Sequence, residues 1–320
     1  MPPRPLIVRL RNWVGDVILG VPALQLLQSH GYELQLIGKG WAPALLAGQG
    51  WAVQQQPAGL GERVRQLRRL RRQAKAIDGQ FDRRTNALVL PTSFSSALEM
   101  RLAGLNALGY AQEARGLLLK HSVPLLAHGE HALKSYWDLA CRFLGLELAP
   151  PPRIRLATSA ADQHAADGLL AAHGLRPGFI VICPFAGGLF EKQDKTWPAF
   201  AEFTRALLPL ARAAGQAVVA CPGPGEEGVI TAHHPGVTSL PNVGLGTYGA
   251  LLRRAGLMIS NDTGPAHLAA AVGAPVLSVL GPTKPEQWAP WGPQVDVVRH
   301  WPDWPQVDEV LAHARARWPA

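Results

Sequence analysis

Cysteine, charged residues and long apolar runs are all scarce in this chain. Its 320 residues include three cysteines, Cys141, Cys183 and Cys221, and no two of them form a close pair. This spacing disfavours a disulfide framework or a zinc site and is typical of a protein from a reducing cytoplasm. No window of about 18 uncharged apolar residues occurs, so we expect no membrane-spanning helix. We also expect no signal peptide, because no charged and apolar leader precedes the strand-like run at residues 6–10.

Sequence signatures of several phosphate-binding sites are missing as well. No Gly-x-Gly-x-x-Gly loop follows the first strand-like run, and no Walker loop occurs. The chain also has no Asp-x-Asp, which is the commonest sequence sign of a diphosphate bridged by a metal ion. We therefore expect neither a metal nor a cofactor.

Hydrophobic residues, in contrast, make up 48% of the chain, which predicts a packed core and excludes extensive disorder. The formal net charge of +8 favours acidic partners such as nucleic acid, anionic lipid or phosphorylated substrates. Nine basic residues are concentrated in residues 63–84: Arg63, Arg65, Arg68, Arg69, Arg71, Arg72, Lys75, Arg83 and Arg84. Such a run is most often a solvated helix face, but its one-sided charge also suits the capture of an anion.

Short apolar runs alternate with helical patterns, which predicts βαβ units and parallel sheets. In the first half we predict strands at 6–10, 34–37, 52–55 and 87–90, with helices at 17–29, 61–76 and 94–103. After the prolines at 150–152 we predict strands at 179–183, 217–221, 257–260 and 276–280, and helices at 161–173, 197–214, 225–234, 247–255, 264–272 and 305–318. The sequence thus predicts two α/β domains, residues 1–155 and 156–320.

The first strand is followed by Asn12-Trp13-Val14-Gly15-Asp16, which places Asp16 at the start of the next helix. An aspartate there is often only a helix cap. A carboxylate at the carboxyl end of a parallel strand also stands where open α/β sheets bind their ligands. The sequence leaves both roles open.

Two further strand ends carry groups that suit an anion. After strand 179–183 comes a glycine pair and then Lys195, just before a helix that we expect to start with Pro198; this lysine is either a phosphate clamp or a surface residue. After strand 257–260 comes Asp262-Thr263-Gly264, followed by a helix with small side chains that contains His267. The amides of Thr263 and Gly264 would form an anion site at its N-terminus, although Asp262 alone could be a cap and His267 a core residue.

Three of these segments together carry a resemblance to a known family. Asp262-Thr263-Gly264-x-x-His267 followed by Gly281-Pro282-Thr283 resembles the signature of glycosyltransferase family 9, the heptosyltransferases. The segments at 12–16 and 195–198 resemble that family's first-strand loop and its Lys/Arg-x-Trp-Pro motif. The resemblance implies a GT-B fold, in which two Rossmann-like domains face each other across a cleft, with an N-terminal acceptor-binding and a C-terminal nucleotide-sugar-binding domain.

The resemblance also implies an activity and a role for each residue. It implies an inverting transfer of heptose from ADP-heptose to the inner core of lipopolysaccharide. The missing Asp-x-Asp predicts that this transfer is metal-independent, with Lys195 and the helix N-terminus supplying the positive charge. Asp16 would be the general base, and the donor would be bound by Lys195, Glu226, Asp262, Thr263, Gly264 and His267. Glu226 would bind the ribose, and its neighbour Glu227 is the alternative for this role. Pro265-Ala266, Lys284 and Asn12 depart from the residues common in the family and leave the exact donor and acceptor open.

The basic helix at 61–76 suits the anionic acceptor that the resemblance implies. We expect Arg65, Arg68, Arg69 and Arg72 to face this acceptor at the cytoplasmic surface of the inner membrane, where the protein would be in peripheral contact. Other interpretations are a related transferase that uses another nucleotide sugar for surface polysaccharide, and a nucleotide-binding module without catalysis. A nucleic-acid-binding protein is disfavoured, because no helix-turn-helix, zinc finger or aromatic-basic strand motif accompanies the basic helix.

Overall fold

The computed structural model describes residues 4–112, 114–127 and 129–318. The chain forms two compact units that divide between Pro151 and Pro152, within the proline run that marks the linker in the sequence. Each unit contains a parallel six-stranded sheet. The prediction of an α/β protein with two parallel sheets is confirmed.

The first unit is built around a sheet in the order β3-β2-β1-β4-β5-β6, with every neighbouring pair parallel. Its strands are β1 (Arg4–Arg9), β2 (Tyr32–Gly38), β3 (Ala52–Gln55), β4 (Ala87–Val89), β5 (Ala107–Ala111) and β6 (His121–Pro124). Its helices are α1 (Val14–Ser29), α2 (Ala42–Leu46), α3 (Leu60–Ile77), α4 (Phe94–Ala103) and α5 (Ala132–Leu144).

The second unit repeats this arrangement, with the order β12-β11-β10-β7-β8-β9 and parallel pairing throughout. Its strands are β7 (Ile180–Cys183), β8 (Val218–Ala220), β9 (Thr238–Ser239), β10 (Leu257–Ser260), β11 (Val276–Val279) and β12 (Val295–Val298). Its helices are α6 (Ala160–Ala172), α7 (Phe200–Ala213), α8 (Glu227–His233), α9 (Leu245–Leu252), α10 (Gly264–Val272), α11 (Pro285–Trp288) and α12 (Val307–Arg317).

Helical periodicity explains which faces are buried. In α3 the apolar residues Val64, Leu67, Leu70 and Ala74 recur every three or four positions and pack on the sheet, which leaves most of the arginines between them exposed. Helix α1 is apolar on nearly all sides, because it lies between the sheet and α5. In the second unit Trp197, Phe200, Phe203 and Leu207 form one buried cluster with the sheet and α12.

Several elements escape the sequence patterns. The sequence predicts no strand at β5, β6, β9 or β12 and no helix at α5. Strand β6 is largely exposed, and β9 has only two residues, so neither produces a clear apolar run. Helix α1 starts at Val14 rather than residue 17, and α7 starts at Phe200, so Pro198 precedes the helix instead of opening it. Across the three described ranges, no helix has the length and apolar composition needed to cross a bilayer.

Candidate active site

In both sheets the sequence motifs lie where the order of the strands reverses. The strand order reverses between β1 and β4 in the first unit, and between β7 and β10 in the second. Loops that leave the carboxyl ends of such neighbouring strands diverge and open a crevice, which is where α/β sheets bind ligands. Asp16 follows β1, whereas Lys195 follows β7 and Asp262 follows β10. The topology therefore puts all three residues at switch points.

Asp16 is the third residue of α1 and is nearly buried, with 8% of its surface exposed. The capping position belongs to Trp13, whose side chain makes no capping bond. The Tyr136 hydroxyl donates a hydrogen bond of 2.7 Å to Asp16 Oδ1, and Arg11 Nε lies 3.5 Å from Oδ2. Asp16 is thus not the helix cap. The partial positive charge at the start of α1 favours its carboxylate there.

Arg11 and Tyr136 both keep their protons beside Asp16. Burial alone lowers the pKa of Arg11, but the neighbouring Tyr136 and Asp16 raise it above the ordinary value. Burial, and then the charge of Asp16, raise the pKa of Tyr136 well above that of a free tyrosine. The guanidinium therefore stays charged and the hydroxyl stays a donor.

A buried cluster of ionic side chains lies next to the loop that leads to Asp16. Glu99 of α4 lies 3.9 Å from Arg9 Nε at the end of β1 and 2.5 Å from Arg63 Nη1 of α3. Arg9 also donates to Asn12 Oδ1 at 3.2 Å, in the loop that leads to Asp16. Sequence reasoning assigned no role to Arg9 or Glu99. Through these contacts the first turn of α3 and the second turn of α4 are connected to the end of β1.

In the second unit three motif segments meet on one carboxylate. Lys195 Nζ lies 3.1 Å from Asp262 Oδ2 and 3.3 Å from the Asp262 carbonyl oxygen. The Thr283 hydroxyl donates to the same Oδ2 at 2.7 Å. With 14% of its side chain exposed, Lys195 is not the free surface lysine of the alternative interpretation. Asp262 is not a cap either, since Thr263 is the N-cap of α10.

The N-terminus of α10 adds backbone donors to this cluster. The first amides of a helix have no partner within it, and together with the helix dipole they form an anion site. Here those amides begin at Thr263 and Gly264, immediately after the carboxylate that holds Lys195. A lysine ammonium and a helix N-terminus at one switch point suit a diphosphate.

Asn261 is a residue of this site that sequence reasoning missed. It is fully buried, accepts from the Trp197 amide at 3.1 Å and donates to the Pro184 carbonyl at 2.7 Å. Pro184 and Trp197 lie at the two ends of the loop that carries Lys195, so one amide side chain fixes both. The sequence signal that could have identified Asn261 is a polar residue directly after an apolar, buried strand.

The remaining donor candidates lie on neighbouring elements. Glu226 is at the start of α8, after β8, and its Oε2 accepts from the Gly223 amide at 2.7 Å, which closes the turn between them. His267 lies within α10 and is buried. Glu226 thus follows the strand that pairs with β7, and His267 lies in the helix that follows β10. The direct contacts with Lys195 come from Asp262.

The four arginines predicted to bind the acceptor lie exposed along α3: Arg65, Arg68, Arg69 and Arg72. Arg65 is 3.9 Å from Glu62, Arg68 donates to the Leu102 carbonyl at the end of α4, and Arg69 donates to Gln54. Because α3 follows β3, its first turns are nearest to the edge that holds Asp16. Arg72 lies seven residues, or about 10 Å, further along the helix than Arg65.

Among the residues that the structure describes, no group of three or more His, Cys, Asp and Glu side chains is placed to hold a metal ion. The cations of the two sites are Arg11 and Lys195, each beside a single carboxylate.

Comparison with known proteins gives consistent matches. Residues 68–313 match the family described as glycosyltransferase family 9 (heptosyltransferase). Lipopolysaccharide heptosyltransferase 3 of Escherichia coli is 33% identical over 126 residues, which are 37% of this chain and 35% of that protein. This chain thus aligns with about a third of that relative's length. Lipooligosaccharide heptosyltransferase 2 of Haemophilus influenzae is 25% identical over 305 residues, 90% of this chain and 86% of that protein.

A solved structure shows the same fold across the whole chain. The E. coli ADP-heptose lipopolysaccharide heptosyltransferase II superposes with a TM-score of 0.77 at 22% identity, covering 98% of each chain. The α/β architecture predicted from the resemblance to GT-B enzymes is therefore confirmed.

Proposed function

Because the chain belongs to glycosyltransferase family 9 (heptosyltransferase), we propose that it transfers heptose from ADP-heptose to the inner core of lipopolysaccharide, with inversion at the anomeric carbon. The observation that carries the proposal is the contact of Lys195 and Thr283 with Asp262 at the N-terminus of α10. The relative that covers 90% of the chain and the structure that covers 98% of it are both named as heptosyltransferases, and the latter name includes ADP-heptose.

The second unit would hold the donor. Lys195 and the amides of Thr263 and Gly264 supply positive charge where the diphosphate sits, and Glu226 would bind the ribose. As the sugar–oxygen bond breaks, the departing ADP gains negative charge. Fixed donors at that point stabilise the transition state more than the ground state.

The first unit would activate the acceptor. A sugar hydroxyl is a weak nucleophile, and a carboxylate that removes its proton as the new bond forms accelerates the reaction typically 10²–10⁴-fold. Asp16 is a carboxylate at the switch point of its sheet, and the structure gives it no capping role that would occupy it. We therefore propose that Asp16 is the general base.

Thermal shift with ADP, UDP, GDP and CMP tests the donor class. A nucleotide at 100 times its dissociation constant stabilises the protein that binds it by about 2.7 kcal/mol. We expect ADP to give the largest rise in melting temperature. A larger rise with UDP or GDP would indicate another nucleotide sugar, and no rise with any of them would contradict the proposed donor site. Release of ADP from ADP-heptose, dependent on added acceptor, then separates an enzyme from a nucleotide-binding module.

Activity should survive excess EDTA. The ammonium of Lys195 and the start of α10 provide the positive charge that a bridging metal provides elsewhere. The measurement is the initial rate of ADP release before and after dialysis against the chelator. A rate that disappears and returns with magnesium, manganese or iron would contradict metal independence.

Replacing Arg65, Arg68, Arg69 and Arg72 together by Gln should raise the acceptor Michaelis constant at least about 10-fold and flatten its dependence on salt. Each basic residue near an anionic membrane surface contributes on the order of 1 kcal/mol, which salt screens. Donor binding should not change. The matched control replaces four exposed arginines of the second unit, Arg176, Arg212, Arg253 and Arg315, by Gln. Equal acceptor kinetics in the two variants would show that α3 has no specific part in acceptor capture at the membrane.

A further inference from the structure

The hydroxyl of Tyr136 is placed to orient one particular carboxylate. Tyr136 belongs to α5, 120 residues away from Asp16 in the chain, and only 6% of it is exposed. Its hydroxyl donates the 2.7 Å hydrogen bond to Asp16 Oδ1. A tyrosine buried this deeply brings a polar hydroxyl out of water, so the bond to Asp16 offsets a desolvation cost.

The surface of α1 is shaped to receive this tyrosine. Asp16 and Gly20 are four residues apart and therefore lie on the same face of the helix. A β-carbon added at Gly20 would lie 3.9 Å from Tyr136 Cγ, so the ring rests directly on the glycine. The ring packs on Gly20 while its hydroxyl reaches back to Asp16, and the ring orientation thus fixes the position of the hydroxyl.

The two carboxylate oxygens of Asp16 consequently have different contacts. Oδ1 accepts a short bond from Tyr136, whereas Oδ2 faces Arg11 Nε at 3.5 Å. That second distance is longer than the usual range of about 2.7–3.2 Å for an N–H···O hydrogen bond, so the contact with Arg11 engages Oδ2 less strongly than Tyr136 engages Oδ1. Rotation of the carboxylate would break the Tyr136 bond.

We propose that Tyr136 is a positioning residue for the reaction: it holds the Asp16 carboxylate so that Oδ2 is the oxygen that takes the proton of the acceptor hydroxyl. This proposal rests on the proposed role of Asp16 as the general base. The proton passes from the acceptor hydroxyl to Oδ2. The acceptor oxygen forms the new bond to the anomeric carbon, and ADP departs with the electron pair of the bond that breaks. Tyr136 keeps its own proton throughout.

The groups that face Asp16 all carry their protons at neutral pH. They are Tyr136 from α5 and Arg11 from the loop after β1, and Arg115 is the next charge beyond Arg11. Burial, and then Arg11, lower the pKa of Arg115 to about 10. All three groups therefore keep their protons below about pH 9.

Tyr136→Phe is the test, since it removes the hydroxyl and keeps the ring. The matched control is Tyr110→Phe in β5, because Tyr110 is also buried and its hydroxyl also donates to a carboxylate, Asp138 Oδ2, at 2.8 Å. We expect Tyr136→Phe to lower kcat roughly 10-fold with the acceptor Michaelis constant within about twofold of the parent.

Assays are run at least ten degrees below the melting temperature of each variant, and ADP binding is measured by calorimetry, so that a loss of fold is recognised directly. Tyr110→Phe should retain the parent kcat and the parent acceptor Michaelis constant. If Tyr136→Phe matches Tyr110→Phe in both, while Asp16→Asn is inactive, Tyr136 has no positioning role and Asp16 remains the base. If Asp16→Asn itself is active, the proposed base is wrong, whatever Tyr136→Phe does.

Discussion

Asp16→Asn is expected to reduce turnover by at least about 100-fold and to leave ADP binding unchanged. The amide that replaces the carboxylate has nearly the same shape, and its oxygen still accepts the hydrogen bond from Tyr136. The amide cannot remove the proton of the acceptor hydroxyl. The loss should therefore appear in kcat at saturating donor and acceptor, whereas calorimetry with ADP should give the parent affinity.

Asp138→Asn is the matched control for this loss. Asp138 is a carboxylate of the same unit that also accepts from a tyrosine hydroxyl, in this case that of Tyr110, and it pairs with Arg142. A general weakening of the unit would affect both variants alike. Normal turnover in Asp16→Asn would exclude catalysis by Asp16 and leave the carboxylate a structural partner of Tyr136 and Arg11.

Lys195→Ala is expected to weaken ADP binding roughly 10- to 150-fold, since a hydrogen bond to a charged group contributes about 1.5–3 kcal/mol. Turnover should fall as well, because the same ammonium faces the diphosphate as the bond to the sugar breaks. Calorimetry with ADP and the steady-state rate with saturating acceptor measure the two effects. Lys192→Ala, in an exposed position of the same loop, is the control and should change neither.

The carboxylate of Asp262 affects how much ADP affinity the Lys195→Ala substitution removes, and this dependence gives a second test. Without Lys195 its carboxylate would keep the Thr283 bond but lose its cation, and would repel the diphosphate. Asp262→Asn removes this repulsion, so Lys195→Ala should cost less ADP affinity in the Asp262→Asn background. The comparison is made in the parent protein and in the Asp262→Asn variant. If Lys195→Ala leaves the ADP affinity unchanged in both, Lys195 does not bind the diphosphate in the ground state.

The basic residues of α3 form one run in the sequence, but the tertiary structure places them in two groups with different contacts. Arg63 pairs with the buried Glu99, and Arg71 and Lys75 both pair with Asp82. Arg72 lies beside these last two on the outer surface, in a depression that it shares with Arg68. One run of like charges thus contains residues that fasten the helix and residues that face solvent. Only the latter are free to meet an anionic acceptor.

The sequence by itself determined the architecture and the location of the motifs. Apolar runs that alternate with helical periodicity indicate βαβ units, because buried strands and amphipathic helices have different local repeats. The segments that contain Asp16, Lys195 and Asp262 were identified at strand ends for the same reason. The short exposed strand β6 and the helix α5 were missed, since a weak local pattern gives no such signal.

Only the tertiary structure decided which side chains meet. Tyr136 reaches Asp16 across 120 residues, Lys195 reaches Asp262 across 67, and Thr283 reaches it across 21. These contacts depend on strand order and on how α5 packs against α1, which local periodicity does not encode. The same packing made Asp16 a bonded carboxylate rather than a helix cap, because α1 begins two residues before it, at Val14, and buries it against Tyr136.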